Sequence, residues 1–311
     1  MSTILHPLTD VPVGQPLLRN GTLVWRGERD VKVLDARGLR CLPADWTVDS
    51  LDLAADGHFV LAFGDRHRRA QVWDTGSGAR VLTIAGQARQ QSLRGGLALI
   101  DDVPFALTAM INDDIIINDL RDGSTRGWLG ITGYVWMQIS RVIGLGPKWL
   151  AVVGHTVGEG YDTVRVLPAR DALDNSMAII ATLRGPAVKQ WGYSVAVGPL
   201  SDDGAVIFRD PEWSEDDEAP DDPAAAFCGL VLYDLSRGEI CERIPHEAIP
   251  TGATIGGDAT RVAIEHADHV ELIARGTGGA TRTVEAIALD PFRMEVARVV
   301  DGAIEIAPLP E

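Results

Sequence analysis

The amino-acid sequence predicts an all-β protein. Short apolar runs of strand type alternate with turns that contain Gly, Asp and Ser. Four such runs recur about every 40 residues, and in the clearest unit no helical spacing competes with the strand pattern. Antiparallel units of this length are typical of the blades of a β-propeller, and 311 residues correspond to about seven of them. We therefore expect one seven-bladed β-propeller domain of four-stranded antiparallel blades over residues 1–311.

The clearest unit extends from Val48 to Gly86. Its four predicted strands are residues 50–53, 59–63, 70–73 and 81–84. Asp56-Gly57 forms the first hairpin turn, residues 66–69 form a polar tip, and residues 75–78 form the last turn. Each strand is thus bounded by residues that favour turns, in the order of a four-stranded antiparallel sheet.

The other units are found by aligning the end of the third predicted strand, Val72–Asp74. Equivalent stretches occur at residues 33–35, 117–119, 166–168, 232–234, 272–274 and 305–307. Several are followed by a turn with glycine, such as Asp35–Gly38. The longest interval contains an insertion at about residues 210–226. Seven such stretches predict seven blades.

The two ends of the chain are predicted to share a blade. After Pro291 the last unit has three apolar runs, at residues 293–296, 297–300 and 303–306, and lacks a fourth. The N-terminus has a spare run at Ser2–His6. We expect this run to be the outer strand of the last blade, because an open ring would expose two sheet edges.

One unit carries a family resemblance. Trp73-Asp74, at the end of a third strand that follows Ala55–Gly57, resembles a WD40 repeat, and the other six units are similar to degenerate versions of it. The Gly-His pair of WD40 repeats precedes the first strand, whereas Gly57-His58 here lies in the first hairpin. In the fifth unit, residues 191–198 are similar to the FG-GAP repeats of integrin-like propellers. Both resemblances imply a seven-bladed propeller.

Charge and composition narrow the function classes. Acidic residues outnumber basic ones 44 to 28, and the net charge of −16 disfavours binding to nucleic acid or to anionic lipid. No secretion signal and no apolar run of about 18 residues is present, so we expect a cytoplasmic protein. The three cysteines lack metal-ligand spacing, and residues 199–204 lack the first acid of an FG-GAP calcium loop. We expect no cofactor and no metal.

Aromatic residues suggest one recognition surface. Trp46, Trp136 and Trp191 each fall just before or at the first strand of a blade, which places them at one mouth of the central channel. Tyr134, Lys189 and Phe292 fall near equivalent positions. These six residues are candidates for partner binding, because Trp and Tyr provide large contact areas at low entropic cost. The alternative is that each indole packs between adjacent blades.

Three polar clusters have two interpretations each. The acidic segment Asp210–Asp222 either binds a cation or a basic partner, or is a solvated loop. The tip Arg66–Arg69 either binds a phosphate or carboxylate, or is a solvated turn. Glu265, His266 and His269 either hold a metal or form a polar turn. In all three cases a solvated loop or turn is favoured over a binding site.

The sequence predicts a non-catalytic interaction module. Its partner is a protein, and the acidity of the chain favours a basic one, met by the loops at the channel mouth. An inhibitor or immunity-type protein that blocks a basic enzyme is one form of this function. The alternative is an enzyme, a hydrolase or lyase, or a small-ligand binder with its site at the mouth. Carboxylates that converge on the channel would favour that alternative.

Overall fold

A computed structural model describes residues 4–7, 12, 14–85, 92–110, 114–129, 137–156, 162–173, 196–201, 203–209, 227–250, 252–276 and 280–310. These residues form 27 β-strands, and the only helical segment among them is a 3-10 turn at Ala169–Ala172. None of the helices in this part of the chain has the length and apolar character needed to cross a membrane. The prediction of an all-β protein is confirmed.

The first strand, β1 (Ile4–Pro7), lies apart in sequence from the first four-stranded unit. The first three units comprise β2 (Leu17–Arg19), β3 (Thr22–Arg26), β4 (Asp30–Asp35) and β5 (Gly38–Pro43); β6 (Val48–Leu53), β7 (Phe59–Gly64), β8 (Arg69–Asp74) and β9 (Arg80–Ala85); and β10 (Leu93–Ile100), β11 (Val103–Met110), β12 (Ile115–Asp119) and β13 (Thr125–Leu129). Each is an antiparallel meander. The four strands predicted between Val48 and Gly86 are confirmed, with ends shifted by one or two residues.

The remaining strands form four further antiparallel groups. These are β14 (Met137–Gly144), β15 (Trp149–Thr156) and β16 (Asp162–Pro168); β17 (Ala196–Leu200), β18 (Gly204–Arg209), β19 (Gly229–Asp234) and β20 (Glu239–Pro245); β21 (Ile255–Gly257), β22 (Arg261–Glu265), β23 (His269–Ala274) and β24 (Thr281–Glu285); and β25 (Ala288–Asp290), β26 (Glu295–Val300) and β27 (Ala303–Pro308). The acidic segment Asp210–Asp222 lies outside the described residues, and its flanking strands β18 and β19 are the second and third of their unit.

Aspartates at the ends of third strands cap the turns that follow. Asp35, Asp74, Asp119 and Asp234 each accept a hydrogen bond from a backbone N–H two or three residues later, at 2.7 to 3.0 Å. A carboxylate in this position satisfies a donor of the turn and so favours a reversal of the chain there. The repeated Asp of the sequence therefore has a local structural cause in every unit that carries it.

Neighbouring units meet through their first strands. Strands β10 and β14 pair in parallel through Gly95 and Arg141, and β17 and β21 pair through Leu200 and Gly257. Glycine permits this approach, because a Cβ at Gly198 would lie 1.7 Å from the carbonyl oxygen of Ile255. Each parallel contact joins two antiparallel units into one larger sheet, of seven and eight strands respectively.

The core lies between units rather than within them. Seven apolar clusters occur in the described part of the chain, and each combines buried residues of two neighbouring units. Val33 of the first unit packs with Val60 and Trp73 of the second, for example. One cluster combines Leu18 of the first unit with Ile304 of the seventh. Burial of this apolar area is the main force that holds the units side by side.

The seventh unit contains the N-terminal strand. Strand β1 pairs antiparallel with β27, from Ile4 opposite Ile306 to Pro7 opposite Ala303. The order of that sheet is β1-β27-β26-β25. The predicted strands at 293–296 and 297–300 are wrong: β26 is continuous over Glu295–Val300, and the first strand is β25. The misplacement arises because Asp290 caps a turn over residues 291–294 that the apolar pattern does not reveal.

Candidate binding site at the channel mouth

A cavity of about 420 Å³ lies where the first strands begin. Five units contribute to its lining, with Leu17, Asp49–Asp52, Arg94-Gly95, Ser140–Val142, and Gly252 with Thr254 just before β21. Residues from five units thus surround this one space, which we call the wide mouth. Its size is within the range of small-ligand pockets.

One wall is a strained turn between β7 and β8. Asp65, Arg66 and His67 all adopt left-handed backbone conformations, with φ of 54°, 58° and 60°. Three consecutive non-glycine residues in this region store conformational strain, which clusters at functional sites in proteins. The turn directs His67 into the cavity, where its backbone N–H donates to Asp49 Oδ2 at 2.8 Å and its Nε2 lies 3.0 Å from Ser50 Oγ.

Two carboxylates of β6 line the cavity, and a backbone N–H donates to each of them. His67 donates to Asp49, as above, and the N–H of Leu97 donates to Asp52 Oδ2 at 2.6 Å. Burial is the largest influence on the pKa of Asp52 and raises it, although the Leu97 N–H and the charge of Arg141 act in the opposite direction. The cavity therefore disfavours the ionised form of Asp52.

Arginines form the opposing charge. The parallel pairing of Gly95 with Arg141 brings Arg94 and Arg141 onto adjacent strands. Arg141 makes no hydrogen bond or ion pair with any residue that the structure describes, and Arg94 only approaches the carbonyl of Leu93, at 3.4 Å. Burial lowers the pKa of Arg94, since its guanidinium is partly removed from water. Neither guanidinium therefore forms a hydrogen bond or ion pair with a carboxylate among the described residues, although Asp49 acts electrostatically on Arg94 and Arg141 acts on Asp52.

The surroundings of His67 favour its neutral form. Burial lowers its pKa first, and the charge of Arg94 lowers it further, while Asp49 acts in the opposite direction. A neutral imidazole accepts at one ring nitrogen and donates at the other. His67 and Ser50 therefore add uncharged hydrogen-bonding groups to a cavity whose cations are arginines.

A second charged cluster lies deeper, around Arg19 at the end of β2. Its Nη1 donates to the carbonyls of Leu18 and Leu289, at 2.6 and 3.1 Å, while its Nε is buried without a partner. The charges of Asp290, Asp52 and Glu265 raise the pKa of Arg19, against the larger lowering effect of burial. Burial raises the pKa of Glu265 and of Asp290. Several carboxylates thus converge near the first strands.

A second, smaller void of about 20 Å³ lies near the opposite ends of the first strands, which we call the narrow end; it is bordered by Arg19, Asp52 and Phe292. The guanidinium carbon of Arg19 lies 5.6 Å from the ring centroid of Phe292, which is a cation–π distance. Asp52 borders both spaces and therefore marks the boundary between the wide mouth and the narrow end.

The predicted recognition surface is only partly described. Trp46 is 7% exposed, and its indole packs on Gly64, where a Cβ would lie 1.6 Å from Cδ1. This position fits the alternative in which the indole is part of the packing. Phe292 lies in the β25–β26 turn, at the end opposite the loop that carries Trp46. The other four candidates, Tyr134, Trp136, Lys189 and Trp191, lie outside the described residues.

The other polar candidates separate in the structure. Of the tip Arg66–Arg69, His67 lines the cavity, and Arg66 is exposed. Glu265 turns away from the two histidines, because its oxygens accept hydrogen bonds from Gln15 Nε2 at 3.0 Å and from the Leu289 N–H at 2.9 Å. The rings of His266 and His269 stack 4.4 Å apart. Within the described residues no three metal-ligating side chains are placed to hold an ion.

Sequence reasoning missed Asp49, Asp52, Arg94 and Arg141. The available signal was the presence of charged residues within first strands, which are the most enclosed strands of a propeller. A charge at such a position is expensive unless it faces a polar space. That signal identifies each residue separately, but it does not show that they share one cavity.

Known proteins resemble this chain in fold. No protein family and no curated protein matches it by sequence. Three solved chains, each 13% identical, cover nearly all of it: one from the mitotic checkpoint complex (TM-score 0.57, 100% of this chain and 94% of that one), one from hydrazine synthase of Kuenenia stuttgartiensis (0.62, 97% and 98%) and U3-55K (0.59, 98% and 98%). The fold that this chain shares with them is a WD40-like β-propeller.

Proposed function

We propose that the seven units form one closed ring of seven blades. Each apolar cluster combines neighbouring units, and the cluster of Leu18 with Ile304 links the last unit to the first. The pairing of β1 with β27 supports the same arrangement, since it covers a sheet edge that would otherwise be open. The ring would comprise the whole chain as a single domain.

We further propose that the propeller is a cytoplasmic interaction module whose protein partner docks over the wide mouth. The observation that carries this proposal is the cavity of about 420 Å³ at that end, against about 20 Å³ at the other. The net charge of −16 favours a partner with a basic periphery, because long-range attraction raises the rate of encounter. An inhibitor or immunity-type protein that covers a basic enzyme would act in this way.

Capture of a partner by the full chain tests the proposal. We expect the immobilised protein to retain one stoichiometric partner from lysate of its own cells. We expect Trp136→Ala or Trp191→Ala to abolish this retention without a change in melting temperature. Trp128→Ala is the matched control, because Trp128 is 52% exposed on the outer strand β13. Loss of the partner in the control alone would place the binding face on the outer edge and contradict docking at the mouth.

A small-ligand binder or an enzyme, a hydrolase or lyase, is the second candidate. It is favoured by the convergence of Asp52, Asp290 and Glu265 around Arg19, with the raised carboxyl pKa values that general acids require. One structural neighbour, hydrazine synthase, is named as an enzyme. Under this candidate the mouth takes a small molecule and no protein, an outcome that the titrations below distinguish.

A further inference from the structure

We propose that the cavity at the wide mouth binds a carboxylate group, held by Arg94 and Arg141 with His67 and Ser50 as further hydrogen-bonding partners. The proposal deepens the function proposed above and rests on it for the choice of binding face. The carboxylate has two sources: an acidic side chain of the docked partner, or a free organic acid.

The arginines carry the inference. Several arginines elsewhere in the described residues form ion pairs with carboxylates; Arg121 and Arg126 both contact Asp119, at 2.7 and 2.9 Å. Arg94 and Arg141 form no such pair among the described residues, although the chain has an excess of acids. Arg94 is half-buried and Arg141 is exposed at the cavity, so a bound carboxylate can reach guanidinium donors that no described carboxylate engages.

The acids in the lining do not take that role. Asp49 and Asp52 each accept a backbone N–H, and neither lies in an ion pair with Arg94 or Arg141. A cation is disfavoured because Arg26, Arg94 and Arg141 all border the cavity. Nucleic acid is disfavoured by the net charge of −16, which repels a polyanion at long range, whereas a single carboxylate on a small molecule or a basic partner is repelled much less.

The strained turn supports a binding role. Residues 65–67 all adopt left-handed conformations although none of them is glycine. These conformations place the His67 ring beside Ser50 at the cavity wall. The carbonyl of His67 also accepts the N–H of Leu93, at 2.5 Å, next to Arg94. The turn therefore couples the position of the imidazole to the strand that carries the first arginine.

Calorimetric titration of the full chain with two acidic probes tests the proposal. The probes are citrate and a blocked peptide of three glutamates, and a blocked peptide of three glutamines is the neutral control. At low salt we expect at least one acidic probe to bind, the glutamine peptide not to bind, and Arg94→Gln or Arg141→Gln to weaken binding about tenfold or more. Arg243→Gln, at an exposed position on β20, is the control variant and is expected to bind as the parent does.

The outcomes are distinct. Binding of the peptide in preference to citrate identifies an acidic side chain of a partner as the source, and the reverse identifies a free organic acid and favours the second candidate function. No binding of either probe, or equal binding by the parent and both cavity variants, overturns the inference. If partner capture still depends on the mouth while neither probe binds, the proposed function stands and only the carboxylate site fails.

Discussion

Asp52 and Asp119 are two aspartates with opposite electrostatic environments. Asp52 faces the channel, and burial raises its pKa, so its charged form is less favourable in the folded protein than in the unfolded chain. The side chain of Asp119 is fully covered, but hydrogen bonds from Arg121, first of all, and from Arg126 lower its pKa. Ionisation therefore destabilises the fold at the first residue and stabilises it at the second.

Substitution of each aspartate by asparagine is predicted to change stability in opposite directions. At about pH 7, Asp52→Asn should raise the free energy of unfolding, and Asp119→Asn should lower it by about 1 to 3 kcal/mol, the value of hydrogen bonds to a charged group. The Asp52 difference should fade as the pH drops below the ordinary carboxyl range, because Asp52 is then protonated in both states. The Asp119 difference should largely persist at about pH 3, because its lowered pKa keeps Asp119 ionised in the folded protein. Urea unfolding at about pH 7 and about pH 3 measures this, and changes of the same sign at pH 7 would contradict it.

The first strands are the elements on which the assembly depends. They meet in parallel at β10–β14 and β17–β21, where backbone approaches backbone with no side chain between. Gly96 and Gly198 make this possible, because a Cβ at either position would lie 2.0 Å or less from a carbonyl oxygen of the neighbouring first strand. The same approach brings Arg94 and Arg141 together at the cavity.

Gly198→Ala is predicted to lower the free energy of unfolding by about 2 to 4 kcal/mol, because the added methyl group forces β17 and β21 apart. Gly127→Ala is the matched control. Gly127 also lies in a strand, β13, but its nearest neighbour would be 3.8 Å from the new Cβ, an ordinary contact. Denaturant unfolding should show a change within about 0.5 kcal/mol for the control. An equally small change for Gly198→Ala would show that the close approach is not a constraint.

At the scale of the whole molecule, the two ends of the chain lie in one sheet. Strand β1 covers the edge of β27, and apolar clusters continue from the seventh unit to the first. In the closed ring that we propose, every unit would have two neighbours, so the loss of one edge strand would weaken the unit that links the last cluster to the first. We therefore expect the N-terminal residues to contribute to stability out of proportion to their number.

Deletion of residues 1–8 removes β1 and is predicted to lower the melting temperature by roughly 5 °C or more. Deletion of residues 1–3 leaves β1 (Ile4–Pro7) in place and is the control, for which we expect little change. Differential scanning calorimetry on the full chain and both truncations makes the comparison. An unchanged transition after removal of residues 1–8 would exclude a structural role for the pairing with β27.

Local patterns were sufficient for most of the strands. The four strands between Val48 and Gly86 follow directly from apolar alternation and turn residues. The strands of the seventh unit are misassigned from the sequence, because no obvious run of polar residues marks the turn that Asp290 caps. The same error led to the prediction that Phe292 lies at the mouth, whereas it lies at the narrow end. A shift by one strand reverses the end at which a residue lies, because neighbouring strands are antiparallel.

The sequence alone determined the all-β class and most of the strands, because alternation and turn chemistry act between residues close in the chain. Only the tertiary structure decided which charged side chains share a space. Asp52, Arg94 and Arg141 lie in three different units, and their meeting depends on how closely the first strands approach one another. It likewise decided that Trp46 is buried, since only folding places Gly64 beneath the indole. Alternation tells which residues share the face of one strand, but not which faces of distant strands meet.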